Sequence, residues 1–198
     1  MAKHNCTWLI GTLSLDERLL EETTHPETLK NRPELRLLPP YYQEQVIDHN
    51  PYFANAGLAF TKHLQDIIEF NRQLVRAFTA AGIPILAGTD APVPGLVYGY
   101  ALHDELEAMA SAGMSNQQVL EGTTRLACDW LGVDVDRGTV EKGKQADLLL
   151  LDADPLLNVA NTRRIAAVIV GGHYFVRSDL DRMLKGVSER KAAGYPTN

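Results

Sequence analysis

The chain has 198 residues, of which 45% are hydrophobic and 22% are charged, a composition typical of a globular protein of one domain or one and a half. Its net charge of −6 excludes the basic face that nucleic acid or an anionic membrane requires, so neither is expected as a partner. No apolar run approaches the length of a membrane span. Cys6 and Cys128 make no disulfide framework, and we therefore expect a cytoplasmic location.

The first 50 residues alternate short ordered elements with irregular chain. Residues 6–13 (CTWLIGTL) are β-prone and predict a strand, and residues 15–22 predict a short helix. Residues 23–40 hold four prolines and indicate a long irregular excursion. Residues 41–49 follow as a second helical segment.

The clearest helix covers residues 61–81. Apolar side chains recur along one face at helical spacing, and they are Leu64, Ile67, Ile68, Leu74, Val75 and Phe78. Gly82 suits the position after the last helical residue, and a short buried strand follows at residues 83–87. Pro84 is compatible only with the start of that strand. A helix that leads directly into a buried strand is typical of a parallel sheet.

Gly88, Thr89 and Asp90 follow directly after this predicted strand. The sequence therefore delivers one carboxylate to the C-terminal tip of a strand. In an α/β barrel that tip faces the mouth of the active site. A carboxylate there can bind a metal ion or accept a proton from a metal-bound water. The alternative is an aspartate that only forms a turn before Pro92.

Helices and then strands complete the chain. Residues 100–112 predict a helix, and Ser115 and Gln118 have the spacing of a capping box that opens a helix to about residue 131, ended by Gly132. Residues 146–151, 165–170 and 173–177 predict strands, the last two joined at Gly171-Gly172. A short helix over residues 178–184 closes the chain.

Four of these stretches, in this order, resemble the C-terminal half of a metal-dependent amidohydrolase of the imidazolonepropionase- and prolidase-like kind. They are AGIPILAGTDAP (81–92), ALHDELEAMASAGMSNQQVLEGTT (101–124), GTVEKGKQADLLLLDADP (138–155) and IAAVIVGGHYFVR (165–177). The Gly-Thr-Asp triplet is weak evidence alone, but its distance from the third stretch is specific to the family.

The resemblance implies an α/β fold that is a partial (β/α)8 TIM-type barrel with strands of a small β-sandwich. Residues 1–132 would form the C-terminal part of the barrel, with 6–13 as the seventh strand and 83–88 as the eighth. Residues 133–177 would supply the C-terminal strands of the sandwich, and residues 178–198 a closing helix and tail.

The resemblance also implies a hydrolase that acts on amide, peptide or cyclic C–N bonds with one or two divalent metals, of which zinc is the expected ion. Asp90 matches the family aspartate that binds metal and accepts a proton from the attacking water. The other family ligands, a His-x-His pair, a lysine or glutamate and two further histidines, have no counterpart here. A catalytic zinc needs about three protein ligands, so this chain alone is not expected to complete a metal site.

Three further residues are weaker candidates for the site. Thr89 is predicted to orient Asp90 or the local backbone, and Tyr98 offers stacking or hydrogen bonding from the loop 91–99. His103 could approach a substrate, or pair with Glu107 one helical turn away. The neighbouring acids Asp104, Glu105 and Glu107 are interpreted as a solvated helix face.

Two functional hypotheses remain open from the sequence. The first is an incomplete hydrolase with a small amide- or peptide-like substrate. The second is an inactive remnant that serves as an interaction or assembly module. Open strand edges in a half-barrel predict either a homo-oligomer or a partner that supplies the missing N-terminal half.

Overall fold

The computed structural model describes residues 7–47, 49–50, 52, 57–93 and 95–192. His4 and Cys6, and with them the first residue of the predicted strand 6–13, lie outside the described residues. No helix in the described ranges is both long and apolar enough to cross a membrane.

Two short parallel strands hold the first part of the chain together. β1 (Leu9–Gly11) pairs with β2 (Ile85–Ala87), with Leu9 opposite Ile85 and Gly11 opposite Ala87. Because the two strands run in the same direction, their C-terminal ends lie at the same edge of the sheet. Such a pair needs a long crossover connection. The second strand begins after Pro84, whose carbonyl accepts a hydrogen bond from Leu9 N at 3.1 Å. Proline has no N–H of its own to add to the pairing.

The crossover is mostly helical. It contains α1 (Leu13–Thr24), α2 (Glu27–Lys30), a 3₁₀ helix (Pro33–Leu37), α3 (Pro40–Ile47) and α4 (Leu58–Ala80). The segment 23–40 is therefore more regular than its four prolines indicate. Leu29, Leu35 and Leu38 of this segment form a small apolar cluster with Val97, which lies in the loop after β2. The prolines lie at the starts of these short helices, where a missing N–H leaves no hydrogen bond unmade.

The long predicted helix is confirmed as α4, and Leu64, Ile68 and Val75 are buried. It packs against α1, and Arg72 Nη2 lies 2.7 Å from Glu17 Oε1 across their contact. The main core joins α1, α4, β2 and the elements that follow; its most buried members are Val75, Ile85, Ala108, Met109, Ala112, Val119 and Val159.

Three helices follow β2: α5 (Tyr100–Ser111), α6 (Asn116–Thr123) and α7 (Arg125–Leu131). The capping box of Ser115 and Gln118 is present, and Gly132 ends α7 in the left-handed conformation. The single helix predicted from the capping box to about residue 131 is wrong: the backbone breaks at Thr124 (φ −126°, ψ −92°) and divides it into α6 and α7. The hydroxyls of Thr123 and Thr124 donate to carbonyls of the preceding turn, which disfavours continuing the helix.

The C-terminal part forms a three-stranded antiparallel sheet and a last helix. β3 (Leu148–Leu151), β4 (Ile165–Val170) and β5 (His173–Val176) pair in that order. A 3₁₀ helix (Val159–Arg163) precedes β4 and contacts α5. The closing helix α8 (Arg177–Ala192) is longer than predicted from residues 178–184.

Candidate active site

The candidate site begins where the two parallel strands end. Gly88 N donates a hydrogen bond to Gly11 O at 2.7 Å. A Cβ atom on Gly88 would lie 2.7 Å from Gly11 O and 2.8 Å from Ile10 Cγ2. Real side chains do not approach this closely, so glycine at position 88 lets the ends of β1 and β2 come together immediately before Asp90.

Asp90 itself has φ +52°, the left-handed region that few residues other than glycine adopt. Aspartate and asparagine tolerate this conformation better than most residues. The side chain of Asp90 is exposed. Thr89 Oγ1 accepts a hydrogen bond from Ala91 N at 3.3 Å, so Thr89 contacts the backbone of the turn. Asp90 is thus an exposed residue in a left-handed turn three residues after the end of β2.

A buried carboxylate from α5 supports the adjacent strand end. Glu105 is fully buried and accepts hydrogen bonds from Leu13 N at 3.0 Å and Ser14 N at 2.8 Å. These two N–H groups open α1, and Glu105 therefore caps a helix whose own N-cap residue, Thr12, makes no side-chain bond. Burial raises the pKa of Glu105, while the two backbone N–H groups act in the opposite direction.

Asp104 is the centre of a network of ion pairs. Its carboxylate lies 2.6 Å from Arg163 Nη2, 2.9 Å from Arg32 Nη2 and 3.3 Å from Arg18 Nη2. Burial acts to raise the pKa of Asp104, but hydrogen bonds from Arg32 and Arg163 outweigh it and hold that pKa below its usual value. The interpretation of Asp104 and Glu105 as a solvated helix face is therefore wrong.

His103 lies against the 3₁₀ helix that precedes β4. Its Nδ1 is 2.9 Å from Thr162 Oγ1, and that hydroxyl donates its own proton to Val159 O at 2.8 Å. The threonine oxygen must then accept, so His103 Nδ1 carries a hydrogen. Burial lowers the pKa of His103, and the charge of Arg163 adds to this. Glu107 binds Arg163 Nε at 2.7 Å, and the pairing predicted between Glu107 and His103 does not form.

The candidate residues divide among three places. Thr89 and Asp90 share the turn at the strand tip. Tyr98, with 62% of its surface exposed, lines a cavity of about 410 Å³ together with Pro92 and residues of α8. His103 lines a different cavity of about 510 Å³, against β4 and α8. Tyr98 thus shares a cavity with Pro92, whereas His103 lines a cavity against the C-terminal sheet.

The metal-ligating capacity of the described residues is limited. Within the ranges that the structure describes, no three histidine, cysteine, aspartate or glutamate side chains are grouped so that they could hold a metal ion. A carboxylate such as Asp90 is a suitable oxygen ligand for a divalent cation, but it supplies one ligand of the three or more that a catalytic zinc requires.

The sequence does not predict the burial of one acidic residue that contacts the loop after Asp90. Glu22, in the last turn of α1, is fully buried, and its Oε2 accepts a hydrogen bond from Asn50 Nδ2 at 3.0 Å. Burial raises the pKa of Glu22 to about 7. Its other oxygen contacts Gly95, in the loop that follows Asp90. A glutamate within a run of charged helical residues predicts a solvated position, and only the packing of the loop reveals this one.

Comparison with known proteins gives consistent matches. The sequence profile of the amidohydrolase family matches residues 44–174, more than half of the chain. An imidazolonepropionase of Thermoplasma volcanium is 32% identical over 83 residues, which cover 40% of this chain and 19% of that protein. Among solved structures, a bottromycin amidohydrolase superposes with a TM-score of 0.71 at 21% identity, covering 93% of this chain and 40% of the other.

A Xaa-Pro dipeptidase with methionine bound in its active site superposes with a TM-score of 0.60 at 20% identity. That match covers 88% of this chain and 36% of the dipeptidase chain. At these identities the structural matches concern the fold. In each case the chain spans well under half the length of the protein it resembles.

Proposed function

Because this chain belongs to the amidohydrolase family, we propose that it supplies the C-terminal part of a metal-dependent hydrolase of amide, peptide or cyclic amide bonds. The observation that carries the proposal is the position of Asp90. It follows the tip of β2, in a left-handed turn, at the edge where the adjacent strand β1 also ends. Side chains at the carboxyl edge of parallel strands form the active sites of barrel enzymes.

The proposed architecture assigns β1 and β2 to the seventh and eighth strands of a (β/α)8 barrel, within residues 1–132. The sheet β3–β4–β5, within residues 133–177, supplies part of a β-sandwich, and residues 178–198 supply the closing helix and tail. The antiparallel order of β3, β4 and β5 supports the second assignment. The parallel pairing of β1 with β2 through a helical crossover supports the first.

Asp90 is the proposed ligand of a divalent cation, with zinc the expected ion. When bound, such a cation lowers the pKa of a coordinated water toward neutrality and polarises the scissile carbonyl. Asp90 accepts the proton of the attacking water and delivers it to the leaving amine nitrogen, which completes cleavage of the C–N bond. Thr89 keeps the turn in place through its bond to Ala91 N.

The remaining ligands come, in this proposal, from polypeptide outside this chain. The described residues supply one suitable carboxylate at the strand tip, and a catalytic site needs about three ligands. A separate N-terminal half or a second copy of the chain would pair with the open edges of β1 and β2. The proposed location is cytoplasmic, which agrees with the free thiol of Cys128.

The test is metal analysis and hydrolysis with a matched pair of variants. The chain is purified alone and together with an N-terminal amidohydrolase half, and each sample is assayed on dipeptides and lactams. We expect stoichiometric metal and turnover only in the combined sample, and Asp90→Asn to reduce turnover by about 100-fold or more. Asp129→Asn, a change at an exposed aspartate of α7, is the control and leaves turnover unchanged. Full activity of Asp90→Asn would refute the proposed role.

The second candidate function is a non-catalytic assembly module. It is favoured by the single carboxylate at the strand tip and by exposed apolar side chains on the C-terminal sheet, such as Leu149, Leu150 and Tyr174. Under this alternative the combined sample forms a stable complex but neither binds stoichiometric metal nor hydrolyses any substrate of the panel.

A further inference from the structure

The loop that follows Asp90 is held from two sides. On one side Val97 is buried with Leu29, Leu35 and Leu38. On the other side Gly95 packs directly on the carboxylate of Glu22. A Cβ atom at Gly95 would overlap Glu22 Oε1, and Gly95 has φ +77°, so only glycine fits at this contact.

Only one of the two oxygens in the carboxyl group beneath Gly95 has a hydrogen-bond partner among the described residues. Glu22 Oε2 accepts the Asn50 amide at 3.0 Å, whereas Oε1 is buried and has no hydrogen-bond partner within the described part of the chain. The side chain exposes none of its surface to solvent. A neutral carboxyl group can occupy such a position at modest cost, but an ionised oxygen without a donor is strongly disfavoured. The proton therefore belongs on Oε1, against the loop.

The charged groups around Glu22 do not remove the preference for a neutral carboxyl group. Arg18 and Glu21 share its helix, and Arg32 approaches from the connection after α2. Both arginines pair with other acids, Arg18 with Glu21 and Asp104 and Arg32 with Glu34 and Asp104, although Arg18 Nε and Arg32 Nη1 have no hydrogen-bond partner among the described residues. Asn50 and Gly95, the other groups that contact the carboxyl, carry no charge. Burial consequently dominates over the attraction of the two arginines, and it raises the pKa of Glu22 to about 7.

We propose that Glu22 is a proton-controlled positioning residue for the loop after Asp90: neutral Glu22 holds Gly95 in place, and ionised Glu22 releases it. Ionisation requires water or a hydrogen-bond donor at Oε1, and Gly95 packs directly on that oxygen. The loop must then move away from α1 for the charge to be solvated. Release of the loop would make the positions of Asp90 and Pro92 depend on pH. Only the functional importance of that change rests on the proposed function.

Amide hydrogen exchange at Leu96 measures this release without any need for activity. Leu96 N donates to Val93 O at 2.9 Å inside the loop, and Val119 N, which donates to Ser115 O in α6, is the internal reference. After correction for the intrinsic pH dependence of exchange, we expect the opening constant at Leu96 to rise between about pH 4.5 and pH 7 and to level off at higher pH. The rise can reach about 100-fold, because each pKa unit between the closed and open loop contributes a factor of ten. Val119 should show no such rise.

Two variants and one control define the outcome. Glu22→Gln cannot ionise, so Leu96 should keep its low-pH protection up to pH 9. Gly95→Ala would place a methyl group on Glu22 Oε1 and so displace the loop, and Leu96 should then exchange fast at both pH 4.5 and pH 7. Glu141→Gln changes an exposed acid in another part of the chain and should keep the wild-type titration. Persistence of the pH-dependent rise in Glu22→Gln would overturn the proposal.

A direct titration protects the test against a variant that fails to fold. In the wild-type chain with ¹³C-labelled glutamate, the side-chain carboxyl carbon of Glu22 should titrate near neutral pH, where the opening constant at Leu96 stops rising. Titration near the ordinary value of 4.5 would overturn the proposal. Asp90→Asn should leave both measurements unchanged, so loss of the catalytic role proposed for Asp90 and loss of the Glu22 role are separate results.

Discussion

Asp104 Oδ2 in α5 lies 2.9 Å from Nη2 of Arg32, which belongs to the connection between α2 and the first 3₁₀ helix. Both side chains are mostly buried, at 13% exposure each. The pair connects the crossover to the helix that follows the Asp90 loop. Arg18 and Arg163 bind the same carboxylate, so Asp104 joins α1, the crossover, α5 and the segment before β4.

Replacing Asp104 by alanine should destabilise the chain strongly. The change leaves the Arg32 guanidinium buried without its main partner, and breaking a buried pair on one side costs about 3–5 kcal/mol. The free energy of unfolding from urea titration is the measurement. Glu107→Ala is the matched control, because Glu107 is 42% exposed and its pair with Arg163 should contribute at most about 1 kcal/mol. Equal losses for the two variants would contradict a central role for Asp104.

Glu105→Gln should loosen the junction between β1 and α1. The amide keeps one acceptor oxygen but places an NH₂ group against either Leu13 N or Ser14 N, both of which are donors. A buried unsatisfied donor costs about 1–3 kcal/mol, and hydrogen exchange in the first turn of α1 should accelerate. Glu141→Gln, in an exposed turn, is the control and should change neither quantity. Unchanged exchange at Leu15 in Glu105→Gln would contradict the capping role.

Local signals in the sequence predicted the regular elements well. The apolar spacing on α4, the capping box at Ser115 and the two glycines before β5 each depend on residues close together in sequence, and each is confirmed. The break at Thr124 was missed because the capping signal at Ser115 and the stop at Gly132 both remain valid for two helices in place of one.

The candidate site was predicted only as far as its local turn. Asp90 is visible because a strand and a loop surround it in sequence. Glu22, Glu105 and Asp104 look like ordinary surface acids of amphipathic helices, and their burial depends on contacts 28 to 92 residues away in the chain. Helical periodicity gives the apolar face of a helix, but it does not show which charged residues at the margin of that face another segment covers.

Gly88→Ala should separate the ends of the two parallel strands. The new methyl group would meet Gly11 O and Ile10 Cγ2 at 2.7 and 2.8 Å, and backbone cannot yield as a flexible side chain can. We expect a loss of more than about 2 kcal/mol in the free energy of unfolding, as for other overpacked sites. Gly57→Ala is the control, since a Cβ there has nothing within 4 Å and its φ of −165° is open to any residue. A tolerated Gly88→Ala would show that β1 and β2 do not need this close approach.

The free energy of unfolding should fall as pH rises from about 4.5 to about 7, and Glu22 should account for a measurable part of the fall. The pKa of Glu22 is about 7 in the folded chain against 4.5 for an ordinary glutamate, so the folded state binds the proton more tightly. Stability is therefore highest below pH 4.5 for this group and is lost as Glu22 ionises, by up to about 3 kcal/mol.

Burial also raises the pKa values of Glu105 and Asp16, which contribute with the same sign, and lowers the pKa of His103, which contributes with the opposite sign. The informative quantity is thus the difference between wild type and Glu22→Gln in urea titrations at pH 5 and pH 8. We expect the wild type to lose stability between these pH values and the variant to lose less, by about 2 kcal/mol. Identical pH dependence in the two proteins would mean that Glu22 ionises as freely in the folded chain as in the unfolded one, and that the contact with Gly95 does not depend on its proton.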